Sequence, residues 1–139
     1  ICQEVCPYTS AAQESFDREM DPRSLRNVAP ELDWLLSMSD EAFRETYRGT
    51  PVLRTKRRGL ARNAAVALGN SGDARAIEPL AQAVLDHDEP LVRGHAAWAL
   101  GQFADAEAFA ALHTALTRER DEYVLSEITA VRDRDSDEA

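Results

Sequence analysis

From Pro30 onward the apolar residues fall at helical spacing, and the polar residues between them supply caps. Leu32, Trp34, Leu35 and Leu36 form a short apolar turn. Ser39 follows as an N-cap, its hydroxyl placed to accept from a free backbone N–H, with Asp40 and Glu41 favoured in the first turn by the helix dipole. Phe43 and Tyr47 share a face at i, i+4, and Gly49 closes that helix. Thr50-Pro51 restarts one, with Thr50 as cap and Pro51 at the first helical position, where its missing N–H costs nothing. Gly59 is expected to bend or break the segment that follows. Ahead of Pro30 lie Cys6-Pro7, Asp21-Pro22 and Ala29-Pro30. Each disfavours helix at the residue before proline, so that stretch reads as irregular.

An internal repeat organises the rest. Arg62-Asn-Ala-Ala-Val-Ala-Leu-Gly69 aligns with Gly94-His-Ala-Ala-Trp-Ala-Leu-Gly101 at an offset of 32 residues. The same offset pairs Asp73 with Asp105, Ile77 with Phe109, Leu80 with Leu112 and Val84 with Leu116. A weaker third copy maps Leu91-Val92 onto Tyr123-Val124 and Ala96 onto Ile128. Each unit reads as a helical hairpin: alanines allow close approach, Gly69 and Gly101 end one helix, and Asp73 and Asp105 cap the next. One hairpin cannot bury its apolar face alone, so neighbours must stack into an α-solenoid. The run from Asp86 to Gly101, with its aspartate-rich turn, Val-Arg and Ala-Ala-x-Ala-Leu-Gly, resembles short HEAT-like repeats. An all-α fold from about Pro30 to about Val131 is therefore predicted.

Composition agrees with helices. Of 139 residues 44 % are apolar, with only 6 % aromatic, a mix suited to close helix packing. No run approaches the ~18 uninterrupted apolar residues that a membrane span takes. The net charge of −9 argues against nucleic acid when read as one number. Its distribution argues otherwise: Arg44 to Asn63 holds seven basic residues against one acid, whereas from Arg118 to the end eight acids face four bases. A basic segment in an acidic chain is a local field that steers partners, although a merely solvated helix face would look the same. Arg54, Arg58 and Arg62 would form one stripe by successive i, i+4 steps if Gly59 does not break the helix, with Lys56 and Arg57 flanking it.

The only two cysteines, Cys2 and Cys6, sit in Cys2-Gln-Glu-Val-Cys6-Pro7. This C-x₃-C-P spacing closes the bacterial ferredoxin run, in which soft thiolates ligate iron. Alone, the pair is equally compatible with incidental cysteines. The absence of cysteine elsewhere suits a reducing, cytoplasmic setting.

The combination is more specific. Cys2-Gln-Glu-Val-Cys6-Pro7-Tyr8 is followed by Leu25-Arg-Asn-Val-Ala-Pro30-Glu-Leu and by Ser39-Asp-Glu-Ala-Phe43. Then come Arg48-Gly-Thr-Pro-Val52, Lys56-Arg-Arg-Gly59 and the two repeat runs. In this order they resemble the C-terminal third of the epoxyqueuosine reductase family, from residue 1 to about residue 116. Tyr8-Thr9 departs from the Trp-Asn usual in that family. The resemblance implies a cobalamin-dependent oxidoreductase with two 4Fe-4S clusters that converts epoxyqueuosine to queuosine in tRNA. It assigns residues 1–29 to the tail of a ferredoxin-like cluster domain and linker, and 30–139 to a HEAT-like domain with an acidic tail. It makes Cys2 and Cys6 cluster ligands, places cobalamin and the catalytic acid outside this chain, and makes the repeats a surface for the tRNA anticodon stem-loop. The expected tRNA-binding set is Arg54, Lys56, Arg57, Arg58, Arg62, Asn63 and His95, on a monomer away from any membrane. A stand-alone HEAT-like protein-binding scaffold is the alternative.

Asn63, His95 and Glu127 occupy equivalent repeat positions and should line up on one face. They read equally as contacts in a concave groove or as a polar rung satisfied within the stack. Trp98 and Trp34 read as core. His87, His95 and His113 show no metal-ligand spacing.

Overall fold

The computed structural model describes Pro7 and residues 29–138, with side chains as far as Arg134. The chain divides into one unit at 1–30 and another at 31–139, and every element described belongs to the second. Cys2, Cys6 and nearly all of the stretch expected to be irregular lie outside the described residues.

Two short helices come first, α1 (Leu32–Ser37) and α2 (Asp40–Thr46). Leu35 and Leu36 bury one face of α1, and the Ser39 hydroxyl caps α2 by accepting from the Ala42 N–H at 3.1 Å. Phe43 and Tyr47 are buried together with ring centroids 5.4 Å apart. The chain then turns through Gly49 at φ 71° into a 3₁₀ segment, Pro51–Thr55. Thr50 precedes Pro51 as expected, but it does not cap forward. Its hydroxyl donates back to the Tyr47 carbonyl at 2.8 Å.

Helix α3 (Lys56–Asn70) runs unbroken through Gly59. The discontinuity lies three residues earlier, at Lys56, whose φ of 57° is one an L-residue rarely adopts. After Asp73, which accepts from the Arg75 N–H at 3.0 Å, come a 3₁₀ turn and α4 (Ile77–Asp86). Next are α5 (Pro90–Leu100), α6 (Ala106–Arg118, capped by Asp105) and α7 (Glu122–Glu138). No strand occurs among the described residues. The helices form two layers: α3 packs on α5 and α5 on α7, while α4 packs on α5 and α6, and α1 lies beside α3 and α4. Leu36, Leu80, Val84, Val92, Leu100 and Val124 are the largest fully buried side chains. Each contributes ~1.5–3 kcal/mol by leaving water.

The glycines of the repeat have a different task from the one their position suggested. Gly69 lies inside α3 and is buried, and the left-handed turn after that helix belongs to Gly72, at φ 66°. A Cβ at Gly69 would come within 2.8 Å of the Ala99 Cα, so glycine is there to let α3 and α5 touch backbone to side chain. Gly101 does follow α5, but at φ −67°, and a Cβ there would collide with Val131 of α7. The same contact thus recurs at the 32-residue offset of the repeat, from Gly69 to Ala99 and from Gly101 to Val131.

Charged side chains tie successive repeats. Arg57, which the sequence placed among the exposed cations, is buried at 9 % exposure. Its Nε donates to Asp40 Oδ1 at 3.1 Å, one Nη donates to Asp88 Oδ2, and the other reaches His87 Nε2 at 3.2 Å. The physical reason is position: the first turn of α3 faces both the start of α2 and the turn between α4 and α5. A cation there opposes the helix dipole and needs those carboxylates. Donors face both ring nitrogens of His87, Arg57 at Nε2 and the Glu89 N–H at Nδ1 at 3.1 Å, and Asp88 Oδ1 lies 3.3 Å from Nδ1. Burial and the Arg57 charge keep this imidazole below its ordinary pKa, hence neutral. One repeat on, Arg93 makes a bidentate pair with Glu119 at 2.7 and 3.1 Å and donates to the His87 carbonyl at 2.8 Å. That pair holds the Glu119 carboxyl at about 2.

Two measurements test this packing. Gly59 has room for a methyl group, its added Cβ meeting nothing closer than Thr55 Cβ at 3.7 Å. Gly59→Ala should therefore stabilise the chain by about 0.5–1 kcal/mol, the usual helical gain. Gly69→Ala should destabilise it by about 1–3 kcal/mol through overpacking. Urea melts of the two variants moving in the same direction would contradict the α3–α5 contact. Acid titration tests the ion pairs. A carboxyl whose folded pKa lies below its unfolded value stabilises the fold above the unfolded pKa and loses that contribution as pH falls through the folded one. Stability should thus drop between about pH 5 and pH 2, by on the order of 2 kcal/mol for Glu119. Glu119→Gln should flatten that part of the pH profile.

Candidate nucleic-acid interface

The basic segment is divided by the fold. Arg54 lies on the 3₁₀ turn, Lys56 at the junction and Arg58 on the first turns of α3, all exposed. None of the three enters an ion pair among the described residues. Arg58 and Arg62 share a face of α3 at i, i+4, but the step from Arg54 to Arg58 crosses the break at Lys56 and is not helical. Arg57 is withdrawn into the ion pairs described above. Arg62 is half-buried and donates twice to Asn63 Oδ1, at 3.1 and 2.7 Å.

Folding also recruits a cation that sequence reasoning counted in the basic segment but left out of the site. Arg44 of α2 comes round to Lys56 and Arg58 to line a cleft of about 370 Å³, together with Leu53, which is 37 % exposed. Glu89 lines its other side, and Asp40 there is already paired with Arg57. Three guanidinium or ammonium groups around one depression suit phosphate oxygens. The sequence signal for Arg44 was weak, because its nearness to Arg58 comes from the turn at 47–55 and not from spacing.

The polar rung at Asn63, His95 and Glu127 is only partly assembled. His95 of α5 and Glu127 of α7 line one cleft of about 210 Å³ with Val66, Trp98 and Tyr123. Asn63 turns to Arg62 instead. Trp98 packs against the core and still borders the cleft. Tyr123 was missed as a site residue. It is 38 % exposed and lies over Gly94, where a Cβ would collide with its ring. The repeat alignment could have pointed to it, since Tyr123 stands where the previous repeat has Leu91. His95 Nδ1 lies 2.8 Å from the Leu91 carbonyl and 3.0 Å from the Tyr123 hydroxyl. A carbonyl only accepts, so Nδ1 carries the proton and Nε2 is left as an acceptor. Burial, then the Glu127 charge, push the Tyr123 hydroxyl above its ordinary pKa, while Arg62 pulls it the other way.

Among the described residues no cluster of three or more His, Cys, Asp or Glu side chains could hold a metal ion, and no helix is long and apolar enough to cross a membrane.

The chain is 35 % identical to the epoxyqueuosine reductase of Listeria monocytogenes over 94 % of its own length and 34 % of that protein's. It is 36 % identical to the epoxyqueuosine reductase of Bacillus cereus over 91 % of its length and 33 % of that protein's. A crystal structure of epoxyqueuosine reductase with an epoxyqueuosine-modified tRNA-Tyr stem loop superposes with a TM-score of 0.84 at 32 % identity, covering 94 % of this chain and 34 % of that one. The chain thus spans about a third of the length of the curated relatives it matches. The HEAT repeats model matches residues 50–132, which takes in the stack from α3 to most of α7, and the chain belongs to that family.

Proposed function

We propose that this chain is the tRNA-holding portion of an epoxyqueuosine reductase, a cytoplasmic, monomeric oxidoreductase of queuosine biosynthesis. The observation that carries the reading is the convergence of Arg44, Lys56 and Arg58 on one cleft of a chain whose net charge is −9. Such a chain repels RNA elsewhere, so a local group of free cations is where phosphates of an anticodon stem-loop would dock. A relative of the same fold crystallised with a modified tRNA stem loop supports it.

In this reading Cys2 and Cys6 ligate iron. Two soft, anionic thiolates four residues apart and followed by Pro7 fit the closing half of a ferredoxin-type run. In two-cluster ferredoxins the cysteine before proline ligates the other cluster, so the two thiolates would serve different 4Fe-4S centres. Such clusters, when bound, supply electrons one at a time, and cobalamin, held by residues outside this chain, completes the reducing chemistry. Neither the cobalamin site nor a catalytic acid is assigned to any residue here.

Two outcomes are expected. In fluorescence anisotropy with a labelled anticodon stem-loop, Arg44→Ala with Arg58→Ala should weaken binding about tenfold at low salt and lower the salt slope by ~1–2. Arg118→Ala with Arg120→Ala, amid acids, should be nearly silent. Equal losses from both pairs, or no binding by the parent chain, would sink the reading. Anaerobic reconstitution of the chain with iron and sulfide should leave no stable visible cluster band, because a 4Fe-4S centre takes four ligands. A stoichiometric cluster on one chain would contradict the assignment of the two cysteines to different centres.

A further inference from the structure

We infer that the cleft formed by Val66, His95, Trp98, Tyr123 and Glu127 takes an unpaired RNA base bearing an exocyclic amine, beside the phosphates held by the α3 cations. This rests on the tRNA reading above and adds a second contact of different chemistry.

The geometry supports a base more than a phosphate. Glu127 repels anions, and its carboxylate has no hydrogen-bonded or ion-paired partner among the described residues. One edge of the Tyr123 ring, Cε1, Cζ and the hydroxyl, lies against Gly94, because only a residue without Cβ lets an aromatic ring come so close on α5, and the ring stays 38 % exposed. The imidazole of His95 is tilted 45° to that ring at a centroid distance of 6.3 Å, which steadies it further. Single-stranded RNA is held largely by stacking on such rings and by hydrogen bonds to exposed base edges.

Its polar groups also discriminate. With the His95 proton committed to Leu91 and Tyr123, the cleft offers two acceptors, His95 Nε2 and the Glu127 carboxylate, and two donors, the Tyr123 O–H and the Trp98 indole N–H; the charged carboxylate makes the strongest of these bonds. Acceptors read amines, as carboxylates do with the cytosine 4-amino group. Guanine, adenine and cytosine carry such an amine and uracil does not. Continuity with the phosphate-binding side comes from Arg62, which follows Arg58 on α3 and whose charge is felt at the Tyr123 hydroxyl. A backbone tracked by Arg58 and Arg62 would therefore bring a base to this cleft.

The test uses the 139-residue chain and two labelled RNA stem-loops with one stem. One loop is uridine only, and in the other the uridines are replaced by guanosine, adenosine and cytidine. The parent should bind the amine-bearing loop about tenfold more tightly. Tyr123→Ala should lose about tenfold on that loop with an unchanged salt slope, since no phosphate contact is removed, while Tyr123→Phe keeps most of the affinity. Glu127→Ala separates reading from repulsion: a reading carboxylate predicts that the two loops become nearly equal. If Glu127 merely repels RNA, that variant tightens both loops in the same ratio, and the inference is overturned. A parent that binds both loops equally overturns it as well, while sensitivity to Arg44 and Arg58 in that same protein leaves the broader tRNA reading standing. A parent that binds neither loop ends both. Circular dichroism of each variant checks the fold, and Glu127→Ala decides the matter if Tyr123→Ala unfolds.

Discussion

The stacking of this array depends on how closely α3, α5 and α7 approach one another. Gly69 against Ala99 and Gly101 against Val131 are contacts at which no Cβ fits, and the alanines at 61, 64, 65, 96, 97 and 99 extend the same close approach along α3 and α5. Small side chains bury little apolar area each, so such a stack gains stability from dense dispersion contact and from larger residues packed between the layers. Leu80, Leu100, Val92 and Val124 fill that role. Because each hairpin touches only its neighbours, loss of one such contact would open the array at that point.

Close approach brings the turns of successive repeats within reach of cations on the preceding helix. Arg57 and Arg93 both lie near helix N-termini, where the dipole disfavours them, and both reach into acidic turns. Glu119 is 9 % exposed and Arg93 16 %, so removing either partner would leave a buried charge. A pair of this kind need not add much stability relative to apolar packing, yet it fixes which turn meets which helix. The Asp86 to Glu89 turn between α4 and α5 is thereby held against the start of α3, with His87 packed beside Arg57.

The same withdrawal of Arg57 shapes the surface. With that guanidinium turned inward, the exposed cations gather as Arg44, Lys56 and Arg58 around a depression instead of forming a continuous stripe along α3. The strained backbone at Lys56 is what lets the 3₁₀ turn and the helix meet at this angle. Farther along α3, α5 and α7 an aromatic cleft with one acid, Glu127, replaces the cationic one. One layer of helices thus passes from a cationic cleft to an aromatic one within two repeats.

The helical class, the 32-residue repeat and the caps at Ser39, Asp73 and Asp105 were legible in the sequence, because each is set by local spacing and by a side chain bonding within a few residues. The likeness to epoxyqueuosine reductases was legible for the same reason, as motifs in order along the chain. What only the tertiary structure decided depends on residues distant in sequence. Arg57 and Arg58 are adjacent and chemically alike, and only the packing of Asp40 and Asp88 around one of them makes it internal. Gly69 looked like a helix end because glycine serves both turns and close contacts, and only the position of Ala99 distinguishes these uses. Arg44 and Tyr123 entered their clefts through the packing of α2 and α7, which no periodicity encodes. Local physics set the elements of this protein, and the contacts between repeats chose which of its charges and rings face outward.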